Sequence, residues 1–372
     1  MNAVGIIYAI DEGIELGDIT RERAVASVPV GGRYRMIDFV LSNMVNSGIQ
    51  SVGIIIQNHY NSLLVHLGSG KEWDLDRKRG GLFMFPPYAS NGRNGWHNGS
   101  TDALQSIRRL LKKTKNKYVI ISGSNVICNM LYNDAMNFHI SKGADVTAIY
   151  KEDKKFTADE LRKNIIIQTD EDGRVRDAKI EPAFSESFKV LLNMYIIEKS
   201  LLEYLVDECL SKGSGDFIKD MLLNKLDSLK IYGYGFKGYS AIINSIIAYY
   251  RHNMDLLDPS IRNEVFFKSG IIYTRVMDEV PAKYSSNARV RNCLVADGCV
   301  IDGEVLNSVL FRGVKVSRGA KIENSIIMSY SEVMEDCILQ NVILDKEVII
   351  RKGRKLIGQK NYPVVIRKES VV

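Results

Sequence analysis

Runs of β-branched and apolar residues alternate with amphipathic stretches through the first two thirds of the chain. VGIIYA (4–9), SVGIIIQ (51–57), KYVIISG (117–123) and DVTAIYK (145–151) have the length and composition of buried strands. Between them RMIDFVLSNMVNSGI (35–49), ALQSIRRLLKK (103–113) and MLYNDAMNFHISKGA (130–144) repeat apolar residues at helical spacing. This alternation predicts an α/β domain with a mostly parallel sheet covered by helices on both faces. Ligands on such sheets bind beyond the carboxyl ends of the strands. One rim is therefore expected to hold the 8–15 turn, the loop after Gln57, the stretch 96–102 and SGSN (122–125).

Near Asp258-Pro259-Ser260 the pattern breaks with a turn signal. From about residue 285 a second rhythm begins. Asn292, Asn307, Asn324 and Asn341 each open a short aliphatic run, at spacings of 15, 17 and 17 residues. A period of this length, with one small coil per repeat, predicts a parallel β-helix. Val314, Val316 and Ile326 are expected to point inward. The expected organisation is an α/β domain over 1–258, a linker over 259–284 and a β-helix over 285–372.

Composition narrows the function classes. Hydrophobic content of 45% and charged content of 25% suit a water-soluble protein. No apolar run reaches membrane-spanning length, so no membrane partner is expected. The opening residues lack the basic-then-apolar pattern of a secretory signal. Five scattered cysteines with no CxxC pair point to a reduced cytoplasm, without disulfides or a zinc site. The net charge of +6 suits an anionic ligand. The basic runs 108–117 and 351–355 lack interleaved aromatics, which predicts solvated faces and no nucleic-acid binding. All five histidines precede residue 253, so the β-helix carries no histidine to act as an acyltransferase base.

The turn after the first strand reads AIDEGIEL (9–16), with three acids and one glycine. Three carboxylates repel phosphates, which argues against a working phosphate loop at a place where α/β proteins often have one.

Several longer stretches carry a resemblance. VPVGGRYRMIDFVLSNMVNSGI (28–49), WDLDR (73–77), WHNGSTDAL (96–104), GDFIKD (215–220) and AYYRHNMDLL (248–257) closely resemble segments of bacterial ADP-glucose pyrophosphorylases, the glucose-1-phosphate adenylyltransferases. The resemblance covers nearly the whole chain. It implies a nucleotidyltransferase-like, Rossmann-like mixed sheet domain followed by a left-handed parallel β-helix. It also implies ADP-glucose synthesis from ATP and glucose 1-phosphate, with Mg²⁺ held by carboxylates.

The residues depart from that family pattern at each chemical requirement. Glu15 stands where the phosphate-loop arginine is expected, and Val25 where its lysine is expected. Ser124 and Ile242 fall on the two metal aspartates. Glu181 falls on the sugar-phosphate lysine, Leu191 on a serine and Ile165 on a glycine. Loss of about 3–4 kcal/mol of transition-state stabilisation at one group already costs several hundredfold in rate. The chain is thus expected to have no catalytic residues, no metal site and no cofactor of its own, with Mg²⁺ needed only in a catalytic partner.

The pattern resembles the non-catalytic subunit type of this family. That resemblance implies a regulatory role in glycogen synthesis within a hetero-tetramer, although a homo-oligomer is open to the chain alone. The alternatives are a weakly active sugar nucleotidyltransferase and a nucleotide or sugar-phosphate sensor without turnover. Gln57, Gly99, Ser100 and Asp102 match positions near the family's nucleotide base, and they also suit a plain turn and helix N-cap. Arg23 and Arg35 match arginines that bind phosphorylated effectors, and they also suit pairing with surface acids. No third basic residue from the β-helix is identifiable for that site. Asp216 and Asp220, with Lys219 between them, read as a solvated helical face, and Trp73 and Trp96 as part of a rim or an interface.

Overall fold

The computed structural model describes residues 1–9, 14–56, 59–86, 107–153, 161, 164–180, 187–212, 218 and 224–372. At the centre of the first domain the strands Tyr118–Gly123, Ala3–Ala9, Ser51–Ile56 and Gly81–Phe85 lie side by side and parallel. Every residue of Ala3–Ala9 except Tyr8 is buried, because both faces of the sheet are covered. Alternate side chains go to opposite layers. Ile7, Ile54 and Ile56 pack with Ile37, Leu41 and Met44 of helix Met36–Asn46 and with Tyr132 and Ala135 of helix Tyr132–Ser141. Val4, Ile6 and Ile55 pack with Leu110 of helix Arg108–Lys113 and Leu202 and Leu205 of helix Lys199–Lys212.

The sheet is less parallel than the alternation suggested. Phe188–Glu198 runs antiparallel to Tyr118–Gly123 and to Val146–Asp153. Strands Ile165–Thr169 and Val175–Ile180 are also antiparallel. The reason is connection length. The Asp170–Gly173 turn is too short for a crossover, so it reverses the chain. Asp170 secures the turn by accepting from the backbone N–H groups of Asp172 and Arg174.

The segment read as a linker contains a helix. Pro259–Phe266 forms it, with Pro259 in its first turn and Asp258 accepting from Ser260 N at 2.8 Å. Its Val265 and Phe266 are buried in a core shared with the β-helix.

From Lys283 onward the chain winds through three parallel five-stranded sheets, the three faces of a left-handed β-helix. Val314, Val316 and Ile326 point inward and are buried. The asparagine repeat has a conformational cause. Asn292, Asn307, Asn324 and Asn341 all adopt left-handed backbone, with φ between 44° and 51°. Asparagine tolerates that region better than other residues with a side chain. Neighbouring rungs are tied together as well. Asn292 Nδ2 donates to Asn307 Oδ1 at 2.9 Å, and Ser325 N donates to Ser308 Oγ at 3.0 Å.

The two domains share one apolar interface. Leu16, Ile19, Val28, Phe39, Tyr249, Leu256 and Phe266 meet Val309, Phe311, Ile326, Met328 and Ile343 of the β-helix. The 28–35 loop lies against it. Gly32 takes φ 85°, and a Cβ there would sit 3.6 Å from the Leu310 carbonyl oxygen. Helix Ile246–Asp255 clamps both sides. Tyr249 Oη donates to Pro29 O at 2.7 Å, and Tyr250 Oη donates to Asn324 O at 2.5 Å.

Replacing Asn324 by Val should lower stability by about 1–2 kcal/mol, because a β-branched residue is strained in left-handed backbone. Replacement by Gly should leave stability within about 1 kcal/mol of the parent. Urea denaturation of the two variants checks the pair.

Candidate functional site

The carboxyl ends of the central strands do form one rim. Tyr8 lies opposite Gly123, and Ala9 opposite Ile56. At this rim the backbone gathers three of the altered positions. Strand Val126–Cys128 pairs antiparallel with Ser240–Ile242, placing Val126 opposite Ile242. Ile243 N donates to Asn125 O at 2.8 Å, and Glu15 N donates to Asn244 O at 2.9 Å. Glu15, Ser124 and Ile242 therefore come from segments tied to one another. Ser124 and Ile242 are both buried, and Ile242 belongs to the main apolar core.

The described residues gathered at this rim do not suit Mg²⁺. Hard divalent cations need several oxygen ligands, preferably carboxylates. The two gathered positions that match metal aspartates supply a hydroxyl and an alkyl group. Among the described residues no three His, Cys, Asp or Glu side chains stand close enough to hold a metal ion. Val25 is fully buried in the interdomain core, where an unpaired ammonium would be costly. Leu191 and Ile165 are likewise buried in apolar layers of the sheet. Glu181, Gln57, Gly99, Ser100, Asp102, Asp216, Asp220 and Trp96 lie outside the described residues. Trp73, read as part of a rim or an interface, is instead buried in the core, edge-on to His66.

A second arrangement lies between the domains. Arg23 is buried, and its Nη1 donates to Asp345 Oδ1 at 2.7 Å. This partner is a buried acid of the β-helix rather than a surface acid. The same oxygen accepts from Lys346 N at 2.7 Å. Arg35 is half-buried, and its Nη1 donates to Ser62 O at 2.7 Å and to Ser62 Oγ at 2.9 Å. Burial, opposed by Asp38 and reinforced by Arg23, brings the Arg35 pKa down to about 10. Lys346 is brought down to about 8 by burial and then by Arg35 and Arg23.

Lys346 is the third cation that sequence reasoning missed. Among the described residues neither Arg35 nor Lys346 makes a salt bridge to a carboxylate, and three cations face two acids, Asp345 and the Asp38 that acts on Arg35. An adjoining cleft of about 530 Å³ is lined by four cations, Arg21, Arg23, Arg367 and Lys368, and four acids, Asp18, Glu22, Asp345 and Glu369. Lys368 is already engaged by Glu369 at 2.6 Å and by Glu22 at 3.8 Å. The cleft itself is balanced in charge, and the positive excess lies deeper, where Arg23, Arg35 and Lys346 outnumber Asp345 and Asp38, an arrangement that favours an oxyanion.

The fold defines a nucleotidyltransferase-like domain joined to a parallel β-helix, with Arg23, Arg35 and Lys346 gathered near the domain junction. Comparison with known proteins agrees on both parts. Residues 4–250 match the nucleotidyl transferase family, and residues 279–362 match the GlmU-like, C-terminal hexapeptide family. The glycogen biosynthesis protein GlgD of Bacillus subtilis is 36% identical over 369 residues, spanning 99% of this chain and 96% of that protein. The glucose-1-phosphate adenylyltransferase of Bacillus cytotoxicus is 33% identical over 98% of this chain and 97% of its own. That of Bacillus mycoides is 33% identical over 98% of this chain and 96% of its own. The chain belongs to the nucleotidyl transferase family and, within it, to the group of GlgD and the glucose-1-phosphate adenylyltransferases.

Two outcomes follow from the junction. Arg23→Ala leaves Asp345 buried and unpaired, which should cost about 3–5 kcal/mol in urea denaturation. Arg23→Met combined with Asp345→Leu should recover most of that loss. The second outcome concerns Lys346. Its pKa in the folded chain lies below the ordinary 10.5, so the unfolded chain binds the extra proton between about pH 8 and pH 10.5. Its contribution to stability therefore rises with pH across that window. Lys346→Met should flatten the rise in a pH series of unfolding midpoints.

Proposed function

We propose that the chain is a non-catalytic, regulatory subunit of glucose-1-phosphate adenylyltransferase, acting in glycogen biosynthesis with a catalytic partner chain. The observation that carries this reading is the coherent loss at one rim. Ser124 and Ile242 are buried where two carboxylates would be needed, and Val25 is sealed in apolar core where a lysine would be needed. The scaffold around them is intact, which argues for selection on shape and contacts rather than on turnover. The names of the relatives supply the pathway: a GlgD described by its role in glycogen biosynthesis, and adenylyltransferases described by their reaction.

In this reading Mg²⁺, ATP and glucose 1-phosphate bind the catalytic partner, and the two chains form a hetero-tetramer in the cytoplasm. The cationic junction gives the regulatory chain a means of response. A phosphorylated effector would meet Arg23, Arg35 and Lys346, and its charge would bear on the contact between the α/β domain and the β-helix. That arrangement also supports the sensor reading, which becomes a property of the regulatory subunit rather than a rival to it.

ADP-glucose formation from ATP and glucose 1-phosphate is the test, run with this chain, with the catalytic chain of the same cell, and with both. This chain alone should give a rate at background, and the mixture should exceed the partner alone. A mixture equal to the partner alone would remove the regulatory role. Robust synthesis by this chain alone would remove the non-catalytic one.

A further inference from the structure

Helix Asn61–Leu67 meets the start of helix Met36–Asn46 at two residues one turn apart. At Ser62 the carbonyl and the hydroxyl both accept from Arg35 Nη1. At His66 the ring reaches Asp38, with Nε2 2.5 Å from Oδ1. Asp38 is fully buried and His66 almost so. A carboxylate only accepts, so His66 Nε2 carries the proton of that bond. The other oxygen, Asp38 Oδ2, accepts from the backbone N–H of Arg35 at 2.9 Å. Each oxygen of Asp38 thus has its own N–H donor, and neither donor is the Arg35 guanidinium. That guanidinium is held by two neutral oxygens of Ser62 and keeps its charge for another partner.

The pair sits in a laced frame. Asn129 Nδ2 donates to Gly270 O at 2.8 Å, Asn46 Nδ2 to Ile271 O at 3.0 Å, and Tyr273 N to Ser42 Oγ at 2.8 Å. The segment 270–275 therefore runs back along helix Met36–Asn46. At its end Arg275 Nη1 donates to Val65 O at 2.7 Å, next to His66 in the chain. Trp73 closes the apolar side, its ring centre 5.8 Å from that of His66. The charged groups acting on His66 are Asp38 and Arg35 from the helix start and Arg275 from this segment. Burial, opposed by Asp38 and reinforced by Arg35 and Arg275, brings the His66 pKa below its ordinary value, so the ring is neutral at pH 7.

We propose that His66 is a positioning residue for oxyanion binding at the domain junction: it holds Asp38 away from the Arg35 guanidinium, and its own protonation strengthens the bound state. The inference rests on the reading of the junction as an effector site and names how that site is tuned. Without the ring, a buried carboxylate oxygen lacks a donor, and the Arg35 guanidinium becomes its partner in place of the anion. The proton linkage has a definite sign. A bound anion offsets Arg35, one of the charges that depress His66, so binding raises the His66 pKa and takes up part of a proton. Affinity therefore rises as pH falls through the His66 titration, below about 6.5.

Calorimetric titration of inorganic sulfate into the full chain, at constant ionic strength, is the test. Arg35→Met should lose most of the binding, which assigns it to the junction. At about pH 7, His66→Ala should weaken binding by about fivefold or more, whereas His66→Gln, whose amide N–H can reach the same Asp38 oxygen, stays within about twofold of the parent. From about pH 7 to about pH 5.5, below the range in which Lys346 titrates, the parent's affinity should rise about threefold and that of His66→Gln should not. Circular dichroism verifies that each variant is folded. If His66→Ala does not fold, the parent with isotope-labelled histidine gives the answer by NMR: sulfate should raise the His66 titration midpoint. A midpoint that sulfate leaves unmoved, or a folded His66→Ala that binds like the parent, overturns the role of His66 and leaves the effector site standing. So does an equal loss in His66→Gln and His66→Ala, or an equal pH response in His66→Gln and the parent. A parent that binds no sulfate, or Arg35→Met that binds it fully, overturns the effector reading and this inference with it.

Discussion

The buried ion pair between Arg23 and Asp345 is the contact on which the arrangement of the two domains depends. It joins residues 322 positions apart, at 2.7 Å, where both side chains are almost wholly buried. A pair of this kind adds little net stability over apolar residues of the same size, because both charges must be desolvated. Its value is in register. Apolar contacts across the junction tolerate sliding, whereas a guanidinium and a carboxylate buried together do not. With that pair set, Gly32 lies against the Leu310 carbonyl, and Tyr250 reaches the Asn324 carbonyl on the β-helix. Beside the pair Arg35 and Lys346 make no salt bridge among the described residues, so domain register and the positive excess belong to one cluster.

Much of this was legible in the sequence, and the legible parts have simple causes. The strands ending at Ala9, Ile56 and Gly123 were readable because a sheet covered on both faces needs uninterrupted β-branched runs. The asparagine repeat was readable because one backbone conformation recurs in each coil. Strand direction was not readable for Phe188–Glu198, since an apolar run looks the same in either sense, whereas the brevity of the Asp170–Gly173 turn reveals the reversal between Ile165–Thr169 and Val175–Ile180. The burial of Trp73 was hidden by the charged residues on either side of it in KEWDLDR.

At the junction the signal existed and was missed. Asp345 is in phase with Phe311 and Met328, at the same spacing of 17 residues that relates Ile326 to Ile343. Both of those neighbours are buried and apolar. An acid in such a column is destined for burial and therefore requires a cation, which would have led to Arg23, and Lys346 follows it directly in the chain. The altered rim was different. Its residues were readable one by one, but their convergence required the pairing of Val126–Cys128 with Ser240–Ile242.

On the proposed non-catalytic reading, the rim presents Ser124 and Ile242 where nucleotidyl transfer would need carboxylates, while the domain junction retains its charged cluster. The central claim is that the rim no longer holds a metal-bound nucleotide. Calorimetric titration of ATP into the isolated chain, with and without Mg²⁺, tests it most directly. The account predicts that Mg²⁺ makes no difference to the heat released, any residual signal coming from the cationic junction. Saturable ATP binding that appears only with Mg²⁺ would contradict it and would mean that carboxylates other than those expected rebuild the site.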